Sequence, residues 1–385
     1  MDVIYYTQPC YLDAALETIK SIKNVVRLHV FIEIAPESKC SNIINVNDLD
    51  NFNIIEPFEN VVGKEEAKYF SEYFNGVASV QFVVHKHKKS FSLQTFWVSY
   101  IFNCFIRHIQ ANVVHFDSFT ARSISLLPFM HKFKKYITIH DPIPHIGEHS
   151  WKKTLTQKVF NSISNGYFFY SKYARKQFEN NYSLHSKSMF DIRLQPYTFN
   201  KQFIDQEGNC SNAILFFGRL SFYKGVDLLI EAIPLVLKFF PNQQFILAGK
   251  SDGYAIDNNI VQMYPNNITV RNEYLTPTKL VNLVSKSMFV VCPYRDATQS
   301  GVLMTAKALG KIVVATKIGA FPEYINDGVD GILIEPTAYS IAQSILQILN
   351  NNAFPQMEQN VDPNFSEHIS LLNQHFILNA YSFVD

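Results

Sequence analysis

Short, wholly apolar runs that stop at a glycine constrain this chain more than any other feature. Ile214-Leu215-Phe216-Phe217 ends at Gly218, and Phe245-Ile246-Leu247-Ala248 ends at Gly249. Between them Val226, Leu229, Ile230, Ile233, Leu237 and Phe240 recur at helical spacing, with Pro234 expected to kink that helix and Pro241-Asn242 to end it. Ile268-Thr269-Val270, Phe289-Val290-Val291 and Ile312-Val313-Val314-Ala315 follow, with helical segments near 277–286 and 302–310. Apolar strands alternating with helices are the pattern of a parallel sheet covered on both faces.

The amino-terminal half repeats the pattern more faintly. Val3-Ile4-Tyr5-Tyr6, Leu28-His29-Val30-Phe31-Ile32, Val113-Val114-His115-Phe116 and Tyr136-Ile137-Thr138-Ile139 read as strands, and 14–22 and 91–109 as helices. The polar stretch 205–212 reads as the linker. At roughly 100–200 residues per domain, 385 residues make two domains the expected count. The fold class is therefore α/β, with two Rossmann-like doubly wound domains, 1–204 and 205–365, facing each other across a cleft. Ligands of such sheets bind outside the carboxyl ends of the strands.

Composition excludes several classes. Hydrophobic residues at 47% suit full-sized cores, and 34 Lys+Arg against 33 Asp+Glu leave no field that would advertise a nucleic acid. The 33 Phe and 20 Tyr carry no functional weight by themselves. Cys10, Cys40, Cys104, Cys210 and Cys292 form no CxxC pair, so they read as reduced, mostly buried thiols, with neither a disulfide framework nor a zinc site. The amino terminus lacks the pattern of a secretory signal, and the most apolar stretch, 96–106, is shorter than the ~20 residues of a membrane span. A cytoplasmic protein is the expectation.

Two loops carry chemistry. Gly218-Arg219-Leu220-Ser221-Phe222-Tyr223-Lys224-Gly225 joins a strand to a helix, placing a guanidinium and an ammonium at a strand's carboxyl end. Such a pair suits a diphosphate, although two solvated surface cations read the same way in isolation. Pro293-Tyr294-Arg295-Asp296-Ala297-Thr298-Gln299-Ser300-Gly301-Val302 also links strand to helix, and its last residues offer backbone N–H groups at a helix amino terminus. An ordinary N-cap is the bland alternative.

Phe217-Gly218-Arg219 through Lys224-Gly225, Ala248-Gly249, Cys292-Pro293, Ala306-x-Ala308-x-Gly310-Lys311, and Gly319-x-x-Pro322-Glu323 through Asp327-Gly328-x-x-Gly331 together resemble the family 4 retaining glycosyltransferases (glycosyl transferases group 1). The likeness is strong over 213–350. Toward the amino terminus it rests on Val114-His115, Thr138-Ile139-His140-Asp141-Pro142 and Ser171-Lys172-Tyr173. It implies a GT-B fold, an acceptor-side amino-terminal domain, a nucleotide-sugar-binding second domain, and a final helix, 366–385, packing back on the first. By the same resemblance Arg219 and Lys224 grip the donor diphosphate, Gly218 and the Gln299-Ser300-Gly301-Val302 amides hold its phosphates, and His140 lines the site near the transferred sugar. For His140 the plain alternative is a structural histidine.

One departure stands out. The family carries two glutamates with seven residues between them; here Ala297 and Thr305 occupy those positions, with Asp296 the nearest carboxylate. Asp296 is therefore the candidate partner for the sugar hydroxyls and Thr305 a weakened ribose contact. Other patterns are set aside. Asp48-Leu49-Asp50 imitates a metal-binding D-x-D but reads as an exposed turn, and Ala248-Gly249-Lys250-Ser251 lacks the first glycine of a P-loop, where Gln244 stands. His140, His145 and His149 show no metal-ligand spacing. The basic runs 85–89 and 131–135 read as solvated faces or as contacts with an anionic membrane at its inner face.

The reading is a retaining transferase acting in polysaccharide or glycoconjugate synthesis. It moves a sugar from a nucleotide-sugar to a glycan or lipid-linked hydroxyl acceptor, with no metal and no further cofactor. Retention comes from the resemblance alone. A nucleotide-sugar epimerase of the same fold and a non-catalytic partner subunit remain alternatives, the latter because of the missing glutamates.

Overall fold

The computed structural model describes all residues except 40, 42, 144–150, 185–186, 206–210, 252, 257, 351–356, 358–359, 362–364 and 383–385. The chain divides into two units, Met1–Gln195 with His368–Asp385, and Pro196–Glu367.

The first unit is built on an eight-stranded sheet. Its strands are β1 (Asp2–Thr7), β2 (Arg27–Ile34), β3 (Ile55–Pro57), β4 (Ser79–Val84), β5 (Ala111–Phe116), β6 (Lys134–Ile139), β7 (Gly166–Phe169) and β8 (Ser188–Asp191). They lie in the order β3-β4-β2-β1-β5-β6-β7-β8, parallel except for β3, which pairs antiparallel with β4 at the edge. The second unit has six parallel strands in the order β11-β10-β9-β12-β13-β14: β9 (Ala213–Phe217), β10 (Gln244–Ala248), β11 (Ile268–Arg271), β12 (Val290–Cys292), β13 (Val313–Thr316) and β14 (Gly331–Ile334). In each sheet the order reverses beside the first strand, at β1/β5 and at β9/β12. A topological switch point there opens a crevice at the strands' carboxyl ends.

The expected strands and helices form, including Val226–Leu237 as one helix with Pro234 inside it, Pro277–Lys286 and Gly301–Ala308. Strands β3, β4, β7, β8 and β14 were not expected; they are short or carry polar and glycine residues that blur an apolar run. The boundary between units lies at 195/196 and not at 204/205, because the Thr198–Phe203 turn joins the second unit, where the Tyr197 N–H donates to Met304 O at 3.4 Å. Residues 206–210 of the expected linker lie outside the described residues.

The final helix, Phe365–Ser382, packs on the first unit. Fully buried Asn373 donates from Nδ2 to Arg193 O at 2.7 Å and accepts the Arg193 N–H at 2.8 Å, pairing with backbone as a strand would. Farther along, the Tyr381 hydroxyl shares a 2.6 Å hydrogen bond with His115 Nδ1 under β5. Of the described cysteines only Cys292 is buried; Cys104 is half-buried and Cys10 exposed, which corrects the expectation of mostly buried thiols. Cys40 and Cys210 lie outside the described residues. Among the described residues no helix is long and apolar enough to cross a membrane.

Candidate functional site

In the second unit the two loops meet at the β9/β12 switch point, and glycines allow it. Gly249, at φ +148°, passes so close to Gly218 that a Cβ would stand 1.7 Å from the Gly218 carbonyl oxygen. Gly225 closes the first loop in the left-handed region (φ +66°), where a Cβ would stand 1.9 Å from Pro293 O. At the other end, a Cβ on Gly218 would meet Val302 Cγ2 at 3.0 Å. The first loop is thus seated against the second at both of its ends.

Charge and hydrogen bonds complete the seat. Arg295 donates to both carboxylate oxygens of Asp227, at 2.7 and 2.6 Å, and to Phe222 O at 2.9 Å. Its guanidinium lies over the Phe222 ring at 4.1 Å, and its own N–H donates to Tyr223 O at 2.8 Å. A bidentate, stacked arginine fixes orientation as well as distance. Lys224 Nζ lies 3.8 Å above the Tyr294 ring, so the lysine of one loop is steadied by an aromatic of the other. Arg219 is exposed and Lys224 half-buried. Ser300 caps the Gly301–Ala308 helix by accepting the Leu303 N–H, and Gln299, Gly301 and Val302 are half-buried. A helix amino terminus beside two cations is suited to an anion. Asp296 is half-buried, and Thr305 is buried (4% exposed), leaving little surface to a ligand.

In the first unit a cavity of about 350 Å³, lined by Gln8, Tyr11, Thr138, His140, Asp141 and Gln157 among others, lies by the carboxyl ends of β1, β5 and β6. His140 Nε2 stands 3.4 Å from Asp117 Oδ1, and its ring stacks on Tyr11 with centroids 4.0 Å apart. Thr7 donates to Asp117 Oδ2 at 2.8 Å across the β1/β5 switch point. Burial alone would raise the Asp117 carboxyl, but the His140 and His115 imidazoles and the Thr7 hydroxyl outweigh it and hold the group below its ordinary value. His115 is the reverse case: burial, only partly offset by Asp117, brings it down to about 4 and keeps it neutral. An ionised Asp117 facing His140 at 3.4 Å can orient that ring.

Sequence reasoning singled out His140 but missed Asp117, Tyr11, Asp227 and Arg295 as its and the loops' partners. Asp117 had one signal, a carboxylate directly after an apolar strand; the ring of Tyr11 had none. The D-x-D is an exposed turn: Asp48 accepts the Asp50 N–H at 2.9 Å and the Asn51 side-chain amide at 2.8 Å. His145 and His149 lie outside the described residues. The basic runs are not uniformly solvated. His85, directly after β4, is buried, and Lys135, on β6, is buried with Nζ donating to Met130 O and Phe133 O.

Residues 211–351 match the family of glycosyl transferases group 1. An uncharacterized glycosyltransferase of Methanocaldococcus jannaschii is 28% identical over 225 residues, 54% of this chain and 59% of the relative. A D-inositol 3-phosphate glycosyltransferase of Segniliparus rotundus is 25% identical over 130 residues, 32% of this chain and 29% of the relative. The chain thus spans less than two thirds of these relatives. Solved structures match throughout. A glycosyltransferase from Rickettsia africae has a TM-score of 0.67 at 17% identity, covering 100% of this chain and 99% of that one. Anabaena HepE in complex with UDP-glucose has a TM-score of 0.67 at 14% identity and covers 100% of both chains. The fold is GT-B.

Proposed function

We propose that the chain is a glycosyltransferase that moves a sugar from a nucleoside-diphosphate donor to a hydroxyl acceptor, with retention of configuration. The observation that carries this is the seating of the two loops at the switch point of the second sheet. With Lys224 held over Tyr294 and Ser300 capping the Gly301–Ala308 helix, we assign Arg219, Lys224 and the amides that open that helix to one diphosphate. Departure of the nucleoside diphosphate is the costly event in such a transfer. Fixed cations and oriented N–H groups stabilise the developing charge, so no metal is required of the site. The family match over the same residues, and UDP-glucose in a protein of the same fold, support this use of the crevice. Retention rests on the motif resemblance.

Asp296 is assigned to the sugar hydroxyls. Buried Thr305 leaves ribose recognition weak, so affinity rests on the diphosphate. The cavity beside His140 and Asp117 is assigned to the acceptor side, a glycan or lipid-linked hydroxyl in polysaccharide or glycoconjugate synthesis.

A thermal-shift panel of UDP, GDP, ADP and CMP tests the donor site. One diphosphate at 100 times its dissociation constant stabilises the chain by about 2.7 kcal/mol. Arg219→Ala and Lys224→Ala remove that shift, and donor consumption depends on added acceptor. A panel in which no nucleotide stabilises the chain overturns the reading.

A further inference from the structure

The Leu93–Ile106 helix is apolar on its exposed side as well as its buried one. Its buried side carries Thr95, Ser99 and Asn103 alongside Val98, Phe102 and Ile106. Its exposed side carries Leu93, Phe96, Trp97 and Tyr100, at the i, i+3, i+4, i+7 spacing of one helical face, with Leu93 90% exposed. Phe129 extends the face, with ring centroids 5.4 Å from Phe96 and 6.2 Å from Tyr100, while Trp97 stacks on Tyr100 at 5.5 Å. Single exposed apolar residues are ordinary; a contiguous aromatic face rimmed by charge marks a contact surface.

The rim identifies what the face contacts. His87, Lys88 and Lys89 are exposed just before the helix, Arg107 is exposed at its end, and His131 and Lys132 are exposed just beyond Phe129. Between Tyr73 and His140 the only acidic residue is Asp117, which is fully buried; Glu37, which reaches the rim from another segment, is neutralised by its ion pair with Arg122, whose guanidinium also donates to Lys88 O and Lys89 O. The surface is therefore basic around an aromatic centre. Two copies of the chain would bring like-charged rims together, whereas an anionic bilayer offers headgroups to the rim and acyl chains to the centre. Trp and Tyr favour that boundary.

We propose that this face docks the first unit on an anionic lipid surface. The Leu93–Ile106 helix lies in the plane of the membrane, with Leu93, Phe96, Trp97 and Tyr100 at the headgroup–acyl boundary and the basic rim on the headgroups. This inference stands on the first unit alone and is independent of what the second unit binds.

The test is cosedimentation of the full chain with vesicles of phosphatidylcholine alone or mixed with phosphatidylglycerol. Binding is expected only to the anionic vesicles and weakens with salt. In a Trp151→Phe background, Trp97 emission shifts to the blue on binding. Lys88→Gln with Lys89→Gln lowers affinity about 30-fold. Phe96→Ser with Trp97→Ser lowers it more than about tenfold, as does Leu93→Ser, a change at so exposed a position that folding is untouched. Absence of binding to anionic vesicles, or binding indifferent to all these variants, overturns the proposal. So does a dimer in light scattering that the serine variants dissociate while vesicles bind nothing.

Discussion

The two units share a topology and pack it differently. The core of the second is largely aliphatic, with Ile214, Leu229, Ile230, Ile233, Val291 and Val314 around Phe216. The first is aromatic, with Tyr6, Phe31, Phe102, Phe116, Phe160, Tyr167, Phe169 and Phe178 in one cluster. Many of these rings meet edge to face or tilted, as Phe31 does with Phe102 and Phe116 with Phe160. The first unit also buries polar groups in its sheet. Glu33, 1% exposed, accepts from the Tyr6 hydroxyl at 2.6 Å and from Thr120 at 2.9 Å, and His115 bridges Tyr381 and Thr138. In the aliphatic unit, then, Arg219 and Lys224 stand on a loop where folding depends little on them, and the buried Lys307–Asp330 pair at 3.0 Å lies apart from that loop. In the aromatic unit the charges are part of the packing, and protonation there is a folding event.

The largest effect that would break this contrast lies in the loops. Arg219→Ala and Lys224→Ala each lower turnover on the order of 10²–10³-fold, as loss of a transition-state charge partner does, while the melting temperature hardly moves. Steady-state kinetics beside thermal melts check both halves of the claim. Variants that lose stability and activity in proportion would erase the distinction.

Next is acid stability, which belongs to the first unit. His115 titrates at about 4 in the fold against an ordinary value of 6.5, so between those values the unfolded chain takes a proton that the folded chain refuses. Its contribution is complete above pH 6.5 and is lost as pH falls toward about 4, on the order of 3 kcal/mol in all. His85, also lowered by burial, adds to the same window. The lowered Asp117 carboxyl acts in the same direction at lower pH: its contribution is present above the ordinary carboxylate value and is lost only below it, as pH falls through its depressed pKa. Denaturant titrations from pH 7 to 4.5 therefore show falling stability in the wild type and a shallower slope in His115→Gln.

The packing difference also explains what could be read in advance. Four-residue apolar runs closed by Gly218 and Gly249 announce strands, and the loops after them place Arg219 and Lys224 by sequence position alone. Strands β5 and β6 were legible despite His115 and Thr138, but β4, β7 and β8 mix polar residues or glycine with aromatics and lack a clean period. Partners drawn from separate strands leave no local trace. Asp117 meets His140 from the neighbouring strand, and Arg295 meets Asp227 across 68 positions. Lys135 and His85 show the converse error, in which a run of cations looks solvated although the pleat turns some of its members inward.

Smaller effects sharpen the second unit. Arg295→Lys replaces a bidentate, stacked fork with a single point charge, so one Asp227 bond and the Phe222 stacking are lost. The side chains of both partners are 24% exposed, which limits the expected loss to about 1 kcal/mol in unfolding and about fivefold in diphosphate affinity. Calorimetric titration of the nucleoside diphosphate reads the second figure. A change in unfolding without a change in affinity would mean that the clamp holds the fold and not the anion site.

The smallest effect separates sugar from phosphate on one loop. Asp296 stands half-buried between Arg295, which is engaged with Asp227, and the amides that open the Gly301–Ala308 helix. If Asp296 accepts hydrogen bonds from the sugar, Asp296→Asn keeps the shape and removes the charge assistance. Transfer from intact donor should fall about three- to fivefold while binding of bare nucleoside diphosphate is unchanged. Thr305→Ala should do less to either, because Thr305 is buried at 4% exposure and offers one uncharged hydroxyl. Equal losses for donor and bare diphosphate in Asp296→Asn would assign Asp296 to capping the loop. A large loss in Thr305→Ala would restore ribose recognition to the position where the resembling family keeps a glutamate.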